Sequence, residues 1–410
     1  MKIAIWWEQV LWGGVDTHLL TLLRNWPSKT DSFYIFYNPS NQGMSRISRE
    51  IISMDRVICV ELKNDPYGSM KWVSDELLRV VRFFTLPLRF YLMKNRYTAL
   101  LKSYGRFDVL LADNGGYPGA WGALASILSG RSAGIGVRIL LIHHGAAFRR
   151  PFRQTLENLI DHFIQSWVTD LVTVSYATRD TLINRRGFDI ERRPIRVIYN
   201  GVDVDSSDSD AKANFNIRDY YDISSDEFIV GMLGRLERHK GQEDLILALE
   251  KIGKITQKKI VLVFVGGGSS DEKHRLERLT RATSVEDNVK FSGYIPDTSS
   301  SIIKQFDILA MLTKDFEGFG LTIAESMIVE TPVIATNVGA VSEFVDQKIC
   351  HIIRPESPED IAESVMDILN NKDKTHKMTI LAKNSIKKFN GESMSRNFFE
   401  LIRNSEGNNI

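Results

Sequence analysis

The sequence predicts an α/β protein built from two doubly wound domains, and three observations lead to this prediction. The chain has 410 residues, which favours two domains of roughly 200 residues over a single hydrophobic core. Short apolar runs typical of buried strands alternate with helical patterns, and several of these runs end in glycine or a polar residue. A polar, acidic stretch from 205 to 225 separates the two series and indicates a linker.

The composition is that of an ordinary globular protein, with 43% hydrophobic and 25% charged residues. No apolar run reaches the roughly 18 residues of a membrane-spanning helix. The apolar run at the N-terminus is interrupted by Glu8 and is too short to predict a signal peptide. Cys59 and Cys350 are isolated in apolar runs and offer neither a disulfide framework nor a metal-binding spacing. We therefore predict a cytoplasmic protein without a bound metal.

The charge is distributed unequally between the two halves. Residues 1–200 contain 26 Lys and Arg against 17 Asp and Glu, whereas residues 201–410 contain 26 against 34. A basic first half suggests that anionic surfaces or substrates meet it. Lipid head groups, phosphates and acidic glycans all remain open at this point, and we expect no nucleic-acid partner.

The first strand leads into a glycine pair. Residues 3–6 are apolar, Gly13 and Gly14 follow, and a helical pattern runs from Asp16 to Trp26. This is the layout of a turn that faces a phosphate or a sugar in a doubly wound fold. It is not the G-x-G-x-x-G fingerprint, so dinucleotide binding is not indicated. A tight turn without a ligand explains the pattern equally well.

Residues 71–106 combine basic and apolar side chains. The segment has eight Lys or Arg and only Asp75 and Glu76 as acids, with many aromatic and aliphatic residues between them. It predicts one or two amphipathic helices, interrupted near Pro87. Such helices lie on anionic lipid, and an ordinary helix pair with a basic solvent face is the alternative.

Two loops of the first half follow predicted strands and carry polar residues. Asn114 lies in the loop after residues 107–112, and His143 and His144 end the strand at 138–142. Ligands of open α/β sheets bind beyond the carboxyl ends of strands, so both loops should face one site. Arg149 and Arg150 follow and are candidates for contact with an anionic acceptor, or else form a solvated helix start.

A similar strand–loop–helix pattern opens the second half. The strand at 228–233 leads to Arg235 and Lys240, and a helix is predicted from Gln242. Two fixed cations beside a helix N-terminus suit a diphosphate leaving group. Two exposed surface cations are the alternative.

Two glutamates enclose the most informative stretch. Glu317 and Glu325 stand eight positions apart, and the turn between them contains Gly318 and Gly320. The glycines allow close approach of the backbone to a ligand, and the free N–H groups of the following helix suit phosphate. A carboxylate on each side of a phosphate site suggests a ligand with hydroxyl groups at both ends, such as a nucleotide-sugar.

These motifs resemble the retaining GT-B glycosyltransferases of the group called family 4. The resemblance rests on Glu317-Gly318-Phe319-Gly320 with Glu325, and on Gly234-Arg235-Leu236 with Lys240-Gly241. It covers most of the C-terminal half and a few points of the N-terminal half. It implies a GT-B fold, in which two Rossmann-like doubly wound domains face a central cleft.

The resemblance also implies roles for single residues. Glu317 and His144 would be catalytic and lie beside the transferred sugar, and Glu325 would hold the ribose. Acceptor contacts are predicted for Asn114, Arg149 and Arg150. The predicted donor-binding residues are Gly13, Gly14, Arg235, Lys240, Ile295, Phe319, Gly320, Leu321, Thr322 and Glu325. The chain departs from the usual family pattern at Ala340 and Ser342, where the family commonly has Gly and Pro.

The implied activity is retaining transfer of a hexose-type sugar from a nucleoside-diphosphate sugar, such as a UDP- or GDP-sugar, to a glycan or lipid-linked glycan. The resemblance implies no bound cofactor and no divalent metal. Cell-surface polysaccharide or lipopolysaccharide synthesis is the expected setting, with peripheral contact at the cytoplasmic face of the membrane. We predict an acceptor domain at 1–204, a donor domain at 205–385 and a terminal helix at 386–410 that packs back on the first domain.

Three alternatives remain at this stage. An epimerase or sugar phosphorylase of similar fold would use related sites, although the two spaced glutamates argue against both. A non-catalytic partner that binds sugar nucleotides would keep the fold. A scaffold at the membrane surface is suggested only by residues 71–106 and would not need Glu317 or Arg235.

Overall fold

The computed structural model describes residues 1–10, 13–62, 85–203, 215–295 and 298–407, apart from three side chains at 45, 46 and 49. It divides into two compact units. The first unit contains Met1–Gly201 and the stretch from Gly391 onward, and the second contains Val202–Asn390. Each unit has one wholly parallel sheet whose strands are connected by helices. The prediction of two Rossmann-like domains is confirmed.

The sheet of the first unit has seven strands in the order β3-β2-β1-β4-β5-β6-β7. The order reverses between β1 and β4, which is the switch point of a doubly wound sheet. The strands are β1 (Lys2–Trp7), β2 (Ser32–Tyr37), β3 (Val57–Glu61), β4 (Val109–Asn114), β5 (Val137–Ile142), β6 (Asp170–Thr173) and β7 (Ile195–Val197). The helices are α1 (Gly14–Arg24), α2 (Met44–Ile52), α3 (Leu86–Ser103), α4 (Trp121–Ser132), α5 (Gln154–Trp167) and α6 (Tyr176–Arg186), with a 3-10 turn at Pro151–Arg153.

The sheet of the second unit has six strands in the order β10-β9-β8-β11-β12-β13, with the switch point between β8 and β11. The strands are β8 (Phe228–Leu233), β9 (Ile260–Val265), β10 (Val289–Gly293), β11 (Ile308–Met311), β12 (Val333–Thr336) and β13 (His351–Ile353). The helices are α7 (Ile217–Tyr220), α8 (Gln242–Ile252), α9 (Ser270–Ala282), α10 (Ser299–Ile303), α11 (Leu321–Ile328), α12 (Val341–Phe344), α13 (Pro358–Asn370) and α14 (Lys372–Ile386).

Two long strands are buried along their whole length. All six residues of β4 and all six of β9 are buried. A parallel sheet is covered on both faces by its crossover helices, so its strands are continuous apolar runs. This is why both strands could be predicted from the sequence. In β4 the apolar run ends with two polar residues, Asp113 and Asn114, which are also buried.

The last helix, α15 (Gly391–Gly407), belongs to the first unit. Ser395 Oγ donates a hydrogen bond to the Leu22 carbonyl oxygen in α1 at 3.2 Å. Its apolar side is buried through Met394, Phe398 and Ile402. The predicted boundary at 204/205 falls among residues outside the described part of the chain and stays a prediction.

The basic segment at 71–106 is described only in part, because residues 71–84 lie outside the described residues. Within the remainder, Pro87 lies in the first turn of α3, where its missing N–H costs no hydrogen bond. Among the residues that the structure describes, no helix is both long and apolar enough to cross a membrane.

Candidate functional site

In the second unit, Glu317, Lys240 and Thr313 meet beyond the carboxyl end of β11. Lys240 Nζ lies 3.3 Å from Glu317 Oε2, and Thr313 Oγ1 donates to the same oxygen at 3.3 Å. Both charged side chains are partly exposed, at 28% for Lys240 and 18% for Glu317. The site therefore holds an ion pair that a ligand can reach from solvent.

Two glycines hold the main chain of this site in place. Gly339 has φ 57°, and a Cβ atom there would lie 2.1 Å from the Glu317 carbonyl oxygen. The Ala340 N–H donates to that same oxygen at 2.9 Å. Gly241 has φ 78°, and its Cβ would lie 2.2 Å from the Leu312 carbonyl oxygen. Neither position tolerates a side chain, so both loops depend on glycine.

The turn between the two glutamates ends in a helix N-terminus. Gly320 is left-handed, with φ 97°, and forms the N-cap of α11. Its carbonyl oxygen accepts hydrogen bonds from the N–H groups of Ile323 and Ala324. Leu321 and Thr322 begin the helix, where N–H groups have no acceptor within the helix itself. This is the arrangement that binds anions.

Glu325 lies within α11 and is partly buried. Burial raises the pKa of its carboxyl group to about 7, and a hydrogen bond with Ser299 acts in the opposite direction. The cost of a buried charge therefore exceeds the benefit of that hydrogen bond. A ligand that donates hydroxyl hydrogen bonds to this carboxyl would favour its charged form.

The side chain of Phe319 is buried. Only 2% of the residue is exposed, and its ring stacks on Phe344 with 4.8 Å between ring centroids. Phe389 packs edge-on against both rings. Phe319 can thus offer a ligand its main chain but not its ring. Ile295 is likewise buried, at 3% exposed.

Arg235 forms the second cationic position of this unit. Its guanidinium lies 2.8 Å from Glu237 Oε1, and the arginine side chain is 46% exposed. Gln242 Nε2, at the start of α8, donates to the Arg235 carbonyl oxygen at 2.9 Å. Glu237 thus forms an ion pair with Arg235, and sequence analysis gave Glu237 no role.

In the first unit, the Gly13-Gly14 turn is fixed by Asp16. The Gly13 N–H donates to Asp16 Oδ2 at 2.6 Å, and Asp16 is fully buried. A Cβ atom on Gly13 would have no heavy atom within 4 Å. The turn therefore presents open backbone next to α1. Its donor-binding role stays a prediction.

The two adjacent histidines at the end of β5 have different environments. His143 is 8% exposed, and its Nε2 lies 2.7 Å from Asp113 Oδ1 at the end of β4. The His143 ring meets the His18 ring edge-to-face at 4.6 Å, and His18 Nδ1 lies 3.1 Å from Asn200 Oδ1. Burial, together with the neighbouring His143, lowers the pKa of His18. His144, the predicted catalytic residue, is exposed.

This buried group of Asp113, His143, His18 and Asn200 was missed by sequence analysis. Its four members come from β4, β5, α1 and the loop after β7, so no local motif contains them. One signal was available. Asp113 and His143 each end a predicted strand, and neighbouring parallel strands bring their carboxyl ends together.

The predicted acceptor residues differ in how their side chains are used. The Asn114 amide is fully buried, and its Oδ1 accepts from the Ala120 N–H while its Nδ2 donates to the Pro118 carbonyl oxygen. Arg149 donates to Asp161 Oδ2 at 3.0 Å. Both side chains thus fix loops of the first unit. Arg150 is exposed, and all three acceptor roles stay predictions.

Asp161 is the centre of a buried ionic network. Arg186, which is 1% exposed, donates to Asp161 Oδ1 at 2.9 Å and to Glu157 Oε2 at 2.6 Å. The Tyr117 hydroxyl donates to Asp161 Oδ1 at 2.6 Å. Together with Arg149, the network ties the loop after β4 to α5 and α6. In the described parts of both units, no group of three or more His, Cys, Asp or Glu side chains could hold a metal ion.

Two family models match the chain in succession. The model described as Glycosyltransferase Family 4 matches residues 12–206, and the model described as Glycosyl transferases group 1 matches residues 214–385. Together they cover most of the chain. Each match falls largely within one of the two structural units.

Curated relatives match over part of their length. The O-antigen biosynthesis glycosyltransferase WclY of Escherichia coli is 32% identical over 151 residues, which are 37% of this chain and 40% of that protein. The D-inositol 3-phosphate glycosyltransferase of Corynebacterium urealyticum is 26% identical over 224 residues, 53% of each chain. The chain thus spans about half the length, or less, of the first curated relatives that it matches.

Solved structures match over the full length. HepE of Anabaena, crystallised with UDP and glucose, superposes with a TM-score of 0.75 at 19% identity, over 98% of this chain and 100% of that one. The apo form of the lipopolysaccharide outer core galactosyltransferase WaaB superposes with a TM-score of 0.63 at 14% identity, over 100% of both chains. At these identities the likeness establishes the fold.

Proposed function

Because the chain belongs to the GT-B glycosyltransferases of the family 4 type, we propose that it is a retaining, metal-independent hexosyltransferase. Its donor is a nucleoside-diphosphate sugar, and its acceptor is a glycan or a lipid-linked glycan. One observation carries the proposal. Glu317 precedes the N-terminus of α11 in the chain and Glu325 lies within that helix, and Lys240 contacts the Glu317 carboxylate.

The second unit binds the donor. The N–H groups of Leu321 and Thr322 face the diphosphate, since helix N-termini favour negative charge. Lys240 and Arg235 supply two cations for the charge that develops on the leaving diphosphate. Both cations are paired with carboxylates in the structure, at 3.3 Å and 2.8 Å. Donor binding replaces these exposed pairs, which are of modest strength, by contacts with phosphate.

Glu317 and Glu325 recognise the two ends of the donor. Glu325 accepts hydrogen bonds from the ribose hydroxyls, and this contact offsets the cost of its charge in a buried position. Glu317 lies beside the transferred sugar, where a carboxylate stabilises positive charge on the ring. We propose no covalent intermediate, because no second carboxylate is assigned as a nucleophile. His144, in the first unit, is the other residue to which we assign a catalytic role.

UDP-sugars are the first donors to test. HepE was crystallised with UDP-glucose and with UDP, and it shares the fold of this chain. The O-antigen relative and the lipopolysaccharide galactosyltransferase support a role in the synthesis of a cell-surface glycan. The acceptor binds the first unit near Asn114, Arg149 and Arg150. Unpaired Cys59 and Cys350 fit a cytoplasmic site of action.

The exposed side of α3 supports contact with an anionic membrane. Leu88, Tyr91 and Leu92 follow the i, i+3, i+4 spacing of one helix face and are 56%, 61% and 41% exposed. Lys94 and Arg96 lie nearby in sequence. Flotation with vesicles that contain phosphatidylglycerol, at low and at high salt, tests this part of the proposal. A protein that stays at the bottom of the gradient at low salt rules it out.

The central test is calorimetric titration with UDP, GDP, ADP, CMP and dTDP, with and without magnesium. We expect one diphosphate to bind, with no change on chelation of magnesium. Arg235→Ala should abolish or strongly weaken this binding. Glu325→Gln should weaken it by about 1–3 kcal/mol, the scale of a hydrogen bond to a charged group.

A matched control is Arg238→Ala, which removes an exposed arginine of the same loop that lies 3.8 Å from Glu272. The affinity of the Arg238→Ala variant for the nucleoside diphosphate should equal that of the wild type. If no nucleoside diphosphate binds the wild type, the donor assignment fails. If Glu325→Gln binds as tightly as the wild type, Glu325 does not hold the ribose.

A further inference from the structure

A cavity of about 270 Å³ lies in the first unit, at the amino ends of β5, β6 and β7. The residues that line it include Arg138, Arg193, Arg196 and Asp170, and the last helix contributes Asn404. His143 and Asp113 lie at the carboxyl ends of their strands, so the cavity is at the opposite edge of the sheet. None of the roles proposed above involves it.

Two arginines of the cavity are fixed by carbonyl groups and not by carboxylates. Arg138 Nε donates to the Trp167 carbonyl oxygen at 2.7 Å, and its Nη1 donates to the carbonyl oxygens of residues 135 and 136. Arg193 Nη1 donates to the Thr169 carbonyl oxygen at 3.0 Å. These bonds hold both guanidinium groups in place, and among the residues that the structure describes neither arginine has a carboxylate partner.

The third arginine is only weakly paired. Arg196 Nε lies 3.4 Å from Asp170 Oδ1, and the arginine side chain is 55% exposed. Asp170 is the only carboxylate among the residues that line the cavity, and its other oxygen accepts a hydrogen bond from Ser405 Oγ at 2.7 Å. The residues that line the cavity therefore include three arginines and a single carboxylate.

One nitrogen of each guanidinium remains available. Within the described ranges, Nη2 of Arg138, of Arg193 and of Arg196 makes no hydrogen bond to the protein. The pKa of Arg138 is lowered by burial and by the positive charges of Arg131 and Arg193. The repulsion agrees with the excess of positive charge at this edge of the sheet.

We propose that this cavity is a binding site for a phosphate group, either as free phosphate or as part of a small phosphorylated compound. Guanidinium groups match the geometry of phosphate oxygens, and their locked orientation reduces the entropy that binding costs. Ser166 and Thr169 also line the cavity, and their hydroxyl groups donate to the carbonyl oxygens of His162 and Arg138. The volume lies near the lower end of small-molecule sites, about 300 Å³.

The site couples ligand binding to the last helix. Asn404 and Ser405 lie in the final turns of α15, and Ser405 bonds to Asp170 within the cavity. A bound phosphate therefore stabilises the contact between α15 and the sheet. This inference does not depend on the transferase activity, because none of the donor or acceptor residues is involved.

The test is a calorimetric titration of the whole chain with inorganic phosphate and, separately, with glucose 1-phosphate, both at low ionic strength. We expect saturable binding of at least one of them. Binding of glucose 1-phosphate ten or more times tighter than phosphate identifies a phosphorylated compound as the ligand, and equal affinities identify free phosphate. If neither ligand shows saturable binding at concentrations up to about 10 mM, the proposal is overturned.

Arg196→Gln and Arg179→Gln form a matched pair for this test. Each removes from the first unit one arginine that is paired with an aspartate, but Arg179 does not line the cavity and lies 2.9 Å from Asp180 Oδ1. Arg196→Gln should weaken binding about tenfold, the scale of one lost charge-assisted hydrogen bond, and Arg179→Gln should leave it unchanged. Equal losses in both variants indicate general charge attraction and overturn the site.

Hydrogen exchange supplies a second readout that does not rely on any variant. Saturating ligand should slow the exchange of amides in the last two turns of α15 at least twofold, while exchange in α8 of the second unit stays unchanged. Because α8 makes no contribution to the cavity, it reports non-specific stabilisation. Equal slowing in both helices contradicts a site at the end of α15.

Discussion

The carboxyl edges of the two sheets use their polar residues in different ways. In the second unit, Glu317 and Lys240 stay partly exposed, and glycine backbones hold their loops in place. In the first unit, His143 and Asp113 are buried and bonded to each other, as are Arg186 and Asp161. The carboxyl edge of the second unit's sheet is therefore open to a ligand. At the carboxyl edge of the first unit's sheet, many polar side chains instead bond to one another and stabilise the loops.

This difference explains which unit could be interpreted from its sequence. A site made of glycine turns and one helix N-terminus is contiguous in the chain, and it leaves a motif. Two buried networks, one assembled from α1, β4, β5 and the loop after β7 and the other linking the loop after β4 to α5 and α6, leave none. The comparison also predicts that mutations of the buried networks in the first unit mainly lower stability, whereas mutations of the exposed site in the second unit mainly lower activity.

The largest effect on stability is expected for Arg186→Met in the first unit. The change leaves Asp161 and Glu157 buried with only part of their counter-charge, and breaking a buried ion pair in this way costs about 3–5 kcal/mol. Urea denaturation followed by circular dichroism measures the loss. The exposed Arg150→Met is the control and should change stability by less than about 0.5 kcal/mol. Equal stability of both variants contradicts the structural role of the network.

Glu317→Gln should have the largest effect on activity without a matching effect on stability. The carboxylate is partly exposed, and its pair with Lys240 is weak in the unliganded chain. Loss of one electrostatic contact to the transition state lowers kcat by about 10²–10³-fold. Turnover with the donor identified by titration measures this, and thermal unfolding checks the fold. A fully active Glu317→Gln enzyme refutes the catalytic assignment.

Glu325 makes stability depend on pH. Its pKa in the folded chain is about 7, whereas an unfolded Glu titrates near about 4.3, so the folded state binds more protons between these values. Stability should therefore fall as the pH rises from about 4.5 to about 7, by at most about 3 kcal/mol from this group. Glu325→Gln should remove that fall. Urea denaturation of the wild type and of Glu325→Gln at pH 5 and at pH 8 measures this difference. If both proteins lose the same stability between the two pH values, Glu325 is not the cause of the pH dependence.

The smallest expected difference separates the two adjacent histidines. His143→Asn removes the partner of the buried Asp113 and should destabilise the chain by about 1–3 kcal/mol. His144→Asn changes an exposed side chain and should cost less than about 0.5 kcal/mol. If His144 contacts the transferred sugar as proposed, its variant loses turnover at nearly unchanged stability. If the His144→Asn protein is fully active, His144 does not have the proposed catalytic role.

The fold followed from the sequence because its signals are local. Buried parallel strands are continuous apolar runs, and β4 and β9 were recognised on that basis. The turn at Gly320 was predictable for a related reason, since a helix start that needs a left-handed residue is marked by glycine.

Several properties of the site were not predictable, because they depend on neighbours that are distant in sequence. The sequence marked Phe319 as part of the turn but not that Phe344 and Phe389 cover its ring. The predicted acceptor residues Asn114 and Arg149 also make contacts within the protein that the sequence did not reveal. The raised pKa of Glu325 follows from burial, which no local pattern of charges reveals.

The return of α15 to the first unit has a consequence for synthesis of the chain. The second unit is one uninterrupted stretch, Val202–Asn390, but the first unit is complete only when the residues after 390 are available. On the ribosome, where residues are added at about 5–20 per second, the first unit therefore waits for the entire second unit to be translated. Until then α1 lacks its partner helix, and the apolar surface that Phe398 and Ile402 later cover is open to chaperones.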